Sequence, residues 1–268
     1  MIYYTEFIDK VIDCAKNYKT LYIMGCIGAP MGYGRNRERY MNNNSYNKKP
    51  VRQKMIADAS NDTFGFDCVC FVKSILGGWC GDLNKVYGGT IVKNVNGTLV
   101  YGEDNIPDYS TEGMIKACYD VSTDFTNIQA GELLWLSGHV GVYIGDGLTV
   151  ECTPAWKNKV QFSVCCNVSN KTIYPVRRWS KHGKLPWVKY GSEPTPKPIP
   201  TEPDYSLLPI VRYGMKDDVV KVVQCAVNTD IDGEFGKNTL ASVKDFQTKH
   251  KLVADGVVGK DTWKAILS

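Results

Sequence analysis

Three patterns predict an α+β domain followed by a small all-α domain. Helical periodicity leads the chain up to about residue 76, and strand-like runs separated by tight turns dominate from Leu133 onward. Helices first and strands later is the order of an α+β domain with an antiparallel sheet. Beyond a proline-rich stretch, a glycine-rich turn that opens into a helix occurs twice, 23 residues apart, which is the mark of a short helical repeat.

Taken in order, residues 5–19 form an amphipathic helix, because Phe7, Ile8, Val11, Ile12 and Ala15 recur at three- and four-residue spacing. Leu21 to Gly25 reads as a short strand. Residues 31–62 are polar and rich in Asn, Arg and Lys, with a short helix over Val51–Ala59. Such a stretch reads as a solvated excursion, with a substrate-facing rim as the alternative. Asp67 is a plausible N-cap for a helix over Cys68–Leu76, whose apolar positions are Phe71, Val72, Ile75 and Leu76 and whose stop is Gly77-Gly78. A hairpin around Asn96-Gly97 joins Thr90–Val95 to Thr98–Tyr101, and Gly113–Cys118 is a short helix. Strands follow over Leu133–Leu136, Val140–Ile144, Leu148–Cys152, Val160–Val164 and Thr172–Arg178.

Prolines at 194, 196, 198, 200 and 203 make residues 191–204 a stiff linker with a reach of roughly 40 Å. The domains expected are therefore 1–190 and 205–268. In the second, Asp232-Gly233-Glu234-Phe235-Gly236-Lys237-Asn238-Thr239 is echoed by Asp255-Gly256-Val257-Val258-Gly259-Lys260-Asp261-Thr262, and a helix over about Lys216–Val227 precedes both. Three short helices make a small bundle. Neither Gly-Lys-x-Thr is a phosphate loop, since the Walker glycine spacing and the Lys-Ser/Thr adjacency are missing.

Hydrophobic residues make up 43% and charged residues 22% of the 268, a composition that packs. A net charge of +4 permits attraction to an anionic polymer, but no basic run is interleaved with aromatics, which argues against nucleic acid. The N-terminal residues carry early acids and no long apolar core, so neither a secretory signal nor a membrane span is expected, and synthesis looks cytoplasmic. The ten cysteines are irregularly spaced, as expected of small buried hydrophobes in a reduced compartment.

Cys68 stands apart from the rest. A thiol in the first turn of a helix faces unpaired backbone N–H groups and the positive end of the dipole, which favour thiolate. Zinc at Cys68, Cys70 and Cys80 lacks a Cys-x-x-Cys pair and a nearby His. Cys70 lies two residues further into the helix, and an inert core cysteine is the remaining reading. A nucleophilic cysteine needs a base. Among the three histidines, His250 ends a helix of the bundle and His182 sits in a polar turn, both expected at the surface. His139 opens a strand after Ser137-Gly138, a rigid base with an exposed edge; a satisfied structural histidine is the competing reading. Glu151, a carboxylate among apolar strand residues, is the candidate to orient it. His139 and Glu151 share a sheet face only if paired positions sum to an even number. A three-residue Gly145-Asp146-Gly147 loop, or a bulge of the same effect, meets that condition; a plain two-residue Asp146-Gly147 loop does not.

Phe66-Asp67-Cys68-Val69-Cys70-Phe71-Val72 resembles the nucleophile motif of the NlpC family of bacterial cell-wall cysteine peptidases, roughly Phe-Asp-Cys-Ser-Gly-Phe-Val. Gly138 to Gly147 resembles that family's histidine hairpin, and its third polar residue falls at Glu151. Tyr22-Ile23-Met24-Gly25 resembles the run whose tyrosine lines the site near the oxyanion. Cys70 departs from the usual glycine, and Glu151 from the commoner His, Asn or Gln. The C-terminal segment resembles a three-helix peptidoglycan-binding domain through Gln224, Asp232-Gly233-x-Phe235-Gly236, Phe246-Gln247, Asp255-Gly256-x-Val258-Gly259 and Thr262-Trp263. The resemblances imply a papain-like catalytic domain tied to a wall-binding module, as in a bacteriophage endolysin held in the cytoplasm until lysis. They imply hydrolysis of a stem-peptide amide by Cys68, His139 and Glu151, with Tyr22 near the oxyanion. N-acetylmuramoyl-L-alanine amidase activity and a non-catalytic wall-binding protein are the alternatives. The implied partner is peptidoglycan, with no cofactor, metal, nucleic acid, membrane insertion or obligate protein partner.

Overall fold

The computed structural model describes residues 1–191, 205 and 208–267. The chain divides into two compact units, Met1–Thr195 and Pro196–Ser268. Apart from Gly191, the expected linker 191–204 lies outside the described residues.

The first unit mixes helix and sheet. Strand β1 (Ile2–Tyr3) leads into helix α1 (Tyr4–Asn17), which buries Phe7, Ile8, Val11, Cys14 and Ala15 as the periodicity requires. Then come β2 (Thr20–Tyr22), β3 (Ile27–Pro30), α2 (Asn36–Asn42), α3 (Pro50–Asp58), β4 (Phe64–Phe66) and α4 (Cys68–Leu76). Strands β5 (Val92–Val95), β6 (Thr98–Tyr101) and β7 (Ile106–Pro107) make a small antiparallel sheet, followed by α5 (Thr111–Ala117). The remainder is β8 (Tyr119–Ser122), β9 (Leu133–Leu136), β10 (His139–Gly145), β11 (Leu148–Thr153), β12 (Lys159–Cys165), β13 (Val176–Arg177), β14 (Lys181–Lys184) and β15 (Val188–Lys189).

Seven of these strands form one sheet in the order β13-β12-β11-β10-β9-β14-β8. Its pairs are antiparallel except β12 with β13. Alternation along the strands sends Val140, Val142, Val150, Cys152 and Val160 into the main core with residues of α1 and α4. The intervening positions, including Tyr143, pack on the opposite face with Leu134, Cys165 and Trp179.

Three expectations are corrected here. Residues 31–62 are not a solvated excursion. Met31, Tyr40 and Ile56 belong to a core of their own with Ile23, Cys26 and Ala29. Asn47, fully buried, accepts the Met24 N–H (3.1 Å) and donates to the Met24 carbonyl (2.9 Å), so the segment clamps the turn after β2. Its polar composition hid this, because buried Asn and Arg here serve backbone groups rather than solvent. The strand expected over Thr172–Arg178 shrinks to β13. His182 lies in β14 and is buried, not in a surface turn. It pairs through Nδ1 with the buried Glu132 and through Nε2 with the Asp124 carbonyl at 2.8 Å. His250 is exposed at the end of a helix, as expected.

In the second unit, α6 (Asp218–Ala226), α7 (Lys237–Lys249) and α8 (Lys260–Leu267) enclose Val220, Val223, Phe235, Val243, Val258 and Trp263. The sequence echo is also a hydrogen-bond echo. The amide nitrogen of buried Gln224 lies within hydrogen-bond reach of Asp232 (2.7 Å), the Glu234 carbonyl (3.0 Å) and Thr239 (3.0 Å), and its oxygen accepts the Gly233 N–H (2.9 Å). Gln247 does the same with Asp255 (2.9 Å), the Val257 carbonyl (3.0 Å), Thr262 (3.1 Å) and the Gly256 N–H (2.9 Å). Gly233 and Gly256 have φ of +80° and +78°, and a Cβ on Gly256 would come within 2.3 Å of Leu240, so these glycines serve the turns. Among the described residues no helix is long and apolar enough to cross a membrane.

Each glutamine holds a whole turn together, and its removal leaves a buried N–H without a partner. Gln224→Ala or Gln247→Ala should each cost about 2–3 kcal/mol in the C-terminal unfolding transition, read by calorimetry. A loss below about 0.5 kcal/mol would contradict the assignment.

Candidate functional site

The chain leaves β4 in extended backbone at Asp67 and turns into α4. One Asp67 carboxylate oxygen accepts the Cys70 N–H (2.7 Å), and the other accepts the Gly25 N–H (2.8 Å). A single residue thus caps the helix and ties it to the clamped turn. Cys68 is consequently the first helical residue, buried at 6% exposure.

The nearby backbone groups of Val140, Val69 and Cys68 itself draw its pKa down. Burial, the largest influence, and then the Asp67 carboxylate outweigh them, and the thiol is pushed up to about 12. Burial thus works against the thiolate that the helix start favours, desolvation exceeding the pull of the backbone groups.

His139 begins β10, opposite Leu136 across the Ser137-Gly138 turn. Glu112, in the first turn of α5, accepts the Gly138 N–H (3.1 Å) and holds that turn in place. The imidazole stacks on Trp179, with centroids 5.6 Å apart and planes 13° from parallel. Its Nε2 lies 2.6 Å from Glu151 Oε2.

The register that brings the two together is not the three-residue loop. Val142 pairs with Val150 and Tyr143 with Thr149, after which the register shifts and Gly145 pairs with Leu148. Asp146 and Gly147 form a two-residue turn with positive φ at both, and Ile144 is the bulged residue. The bulge has the same parity effect, so His139 and Glu151 share a face, diagonal across the strand pair.

Glu151 has no solvent exposure. Its carboxylate accepts from Ser163 Oγ and from Arg177 Nε, at 3.0 Å to Oε1 and 2.8 Å to Oε2. Burial alone would raise its pKa. The hydrogen bond and charge of His139, then Arg177 and Ser163, more than offset that and hold it below the usual carboxylate range. The Arg177 guanidinium lies over Trp156 (4.6 Å) and Trp179 (5.7 Å).

Sequence reading missed Ser163, Arg177 and Trp179. Ser163 had a signal: it is a polar residue on the same alternating face as Lys159 and Gln161, in a strand whose other face is apolar. Arg177 reaches Glu151 through the parallel pairing of β13 with β12, which no local pattern announces.

Tyr22, at the end of β2, is buried in the same core cluster as Cys68. Burial first, then the nearby Cys68 and Asp67, raise its pKa and keep the phenol neutral. Arg52 of α3 donates to the Tyr22 carbonyl and lies 5.7 Å over its ring.

The structure therefore brings His139 and Glu151 into direct contact and sets Cys68 against residue 140, with Tyr22 nearby. Among the described residues Cys68 and His139 share no hydrogen bond. All ten cysteines are free thiols. No group of three or more His, Cys, Asp and Glu among the described residues could hold a metal ion.

Residues 223–266 match the family described as "Putative peptidoglycan binding domain". A curated relative, the "Uncharacterized protein in bpoA1 3'region" of Kitasatospora aureofaciens, is 40% identical over 62 residues, which cover 20% of this chain and 52% of the relative. The chain thus spans about half the length of that relative. The family match places a peptidoglycan-binding domain on the C-terminal helices and supports association with the cell wall.

Alkylation of Cys68 by iodoacetamide, followed by peptide mass mapping, should accelerate from pH 7 to pH 10 without a plateau. A plateau reached below pH 7 would show a preformed thiolate instead. Glu151→Gln removes a carboxylate that Arg177 needs and should cost about 3 kcal/mol near pH 7. The folded pKa of Glu151 is depressed, so its contribution is complete above the ordinary carboxylate range and fades as pH falls through the folded value. The stability gap between wild type and Glu151→Gln, read by urea unfolding, should hold at neutral pH and narrow in acid. A gap that widens in acid would refute the pairing.

Proposed function

We propose that the chain is a peptidoglycan hydrolase of the papain-like NlpC type, cutting an amide of the stem peptide through Cys68, His139 and Glu151. One observation carries the reading: an imidazole–carboxylate pair at residue 139 adjoins Val140, which shares a core cluster with Cys68, the first residue of the helix packed on β10. The peptidoglycan-binding domain supplies the substrate class.

In this mechanism Glu151 occupies Nε2 of His139, which leaves Nδ1 to take the thiol proton as the sulfur attacks the carbonyl. A protonated resting thiol makes that transfer part of the attack. The Cys68 N–H, with the neutral Tyr22 hydroxyl, stabilises the oxyanion. Collapse expels the amine, which takes a proton from the imidazolium, and a thioester remains on Cys68. Water, deprotonated by His139, then releases the acid. Glu151 holds the ring, while Arg177 and Ser163 keep the carboxylate ionised and fixed.

The C-terminal unit holds the enzyme on its polymeric substrate and raises the local concentration of cleavable bonds. Such a protein acts at the bacterial cell wall, and lysis of a host cell as an endolysin is the role that suits it.

Cys68→Ala should lower clearing of purified cell walls by about a thousandfold or more. Undiminished clearing would leave a wall-binding protein without thiol chemistry. Deleting residues 191–268 should cut clearing of intact walls by about a hundredfold while changing hydrolysis of a soluble stem peptide by less than about threefold. Mass spectrometry of digested peptidoglycan names the bond. New peptide termini within the stem are expected, and a freed N-terminal L-alanine with intact stems would mean the amidase.

A further inference from the structure

The tip of the β11–β12 hairpin presents a tryptophan that the core does not use. Of the six tryptophans Trp156 alone is exposed, at 45%, and it belongs to none of the apolar clusters. Its φ of +54° lies in the left-handed region, which a bulky side chain enters only where its surroundings hold it.

Those surroundings are well bonded. The Ala155 carbonyl accepts from Gln161 Nε2 (3.1 Å) and from the Asn158 N–H (3.1 Å), and the Lys157 N–H donates to Gln161 Oε1 (3.3 Å). Arg52 donates to Asn158 Oδ1 at 2.7 Å, and the Asn158 carbonyl accepts the Tyr22 N–H at 2.9 Å. A fixed loop therefore carries the indole, so a ligand that meets it has little left to order.

Two lines of contact put this indole beside the candidate site. On one side the loop is bonded to the backbone of Tyr22, which shares a core with Cys68. On the other, the Arg177 guanidinium lies 4.6 Å from the Trp156 ring and 5.7 Å from that of Trp179, which stacks 5.6 Å from His139. Indole and imidazole are thus no more than about 16 Å apart. Arg177 covers one face of the indole, and the exposure falls on the rest of it.

We propose that Trp156 is a stacking platform for a pyranose ring of the glycan strand, a sugar subsite beside the stem peptide. The inference rests on the proposed hydrolysis for the bond that the sugar positions. The peptidoglycan-binding domain supplies the polymer. Of that polymer's parts, the pyranose rings are the ones with a flat face of C–H groups, which packs on an aromatic face while hydroxyl and acetamido groups at the rim stay in water. The stem offers methyl, carboxylate and amine groups, which have no use for an exposed indole. An extended chain advances about 3.3–3.6 Å per residue, so a sugar on Trp156 leaves the first three or four stem residues within reach of His139.

The test measures binding of soluble fragments to the full-length Cys68→Ala protein by calorimetry, so that turnover does not enter. The probes are L-alanyl-γ-D-glutamyl-L-lysine and the same tripeptide carrying the N-acetylglucosaminyl-N-acetylmuramoyl disaccharide. The disaccharide should raise the affinity about tenfold. Adding Trp156→Ala should remove that gain while changing the affinity for the free tripeptide by less than about twofold, and Trp156→Phe, which keeps an aromatic face, should retain part of it. Equal affinity for the two probes, or a gain that survives Trp156→Ala, would overturn the proposal. A Trp156→Ala protein that loses the free tripeptide as well would make the indole a support for Arg177 and would also overturn it. Failure of the hydrolase reading is a separate result, seen as wall clearing that Cys68→Ala does not diminish.

Discussion

A carboxylate with no access to solvent sits in the central sheet, and the rest of the site follows from keeping it ionised. Glu151 is tolerated because three groups converge on it from three strands: His139 from β10, Ser163 from β12 and Arg177 from β13. Burying a charge without such partners would cost more than a domain of this size can spare. The bulge at Ile144 is what makes the convergence possible. Without it, a two-residue turn would send His139 to the face that packs on α4 and leave Glu151 with Arg177 and Ser163 alone.

A second constraint fixes the thiol. Asp67 joins the helix start to the turn after β2, and Asn47 fixes that turn in its place. The position of Cys68 is thus built from residues 22–26, 47 and 67 together. The segment 31–62 belongs to the architecture around Cys68.

How far the site could be read from the chain alone follows from the range of each interaction. The α4 boundaries, the Asp67 cap and the hairpin around Asn96-Gly97 rest on local chemistry and were legible. The face shared by His139 and Glu151 was legible as a condition on parity, although a bulge satisfied it rather than a longer loop. Arg177 was not legible, because its contact with Glu151, 26 residues away in sequence, depends on the parallel pairing of β13 with β12. Nor was the burial of His182, since a Lys-His-Gly-Lys run looks polar until Glu132 is known to face it. The burial that works against the thiolate was not legible either, because a helix dipole is local whereas desolvation is set by the whole core. The C-terminal repeat was plain in sequence because each Gln–Asp–Thr network closes within a single repeat.

The central claim is covalent chemistry at Cys68, and trapping the intermediate tests it most directly. Protein mixed with soluble peptidoglycan fragments is quenched in acid within the first turnovers, then digested and mapped by mass spectrometry. The account predicts a thioester adduct on the peptide that contains Cys68, with the mass of the acyl half of the fragment. Continued turnover with Cys68 unmodified at every quench time would contradict it.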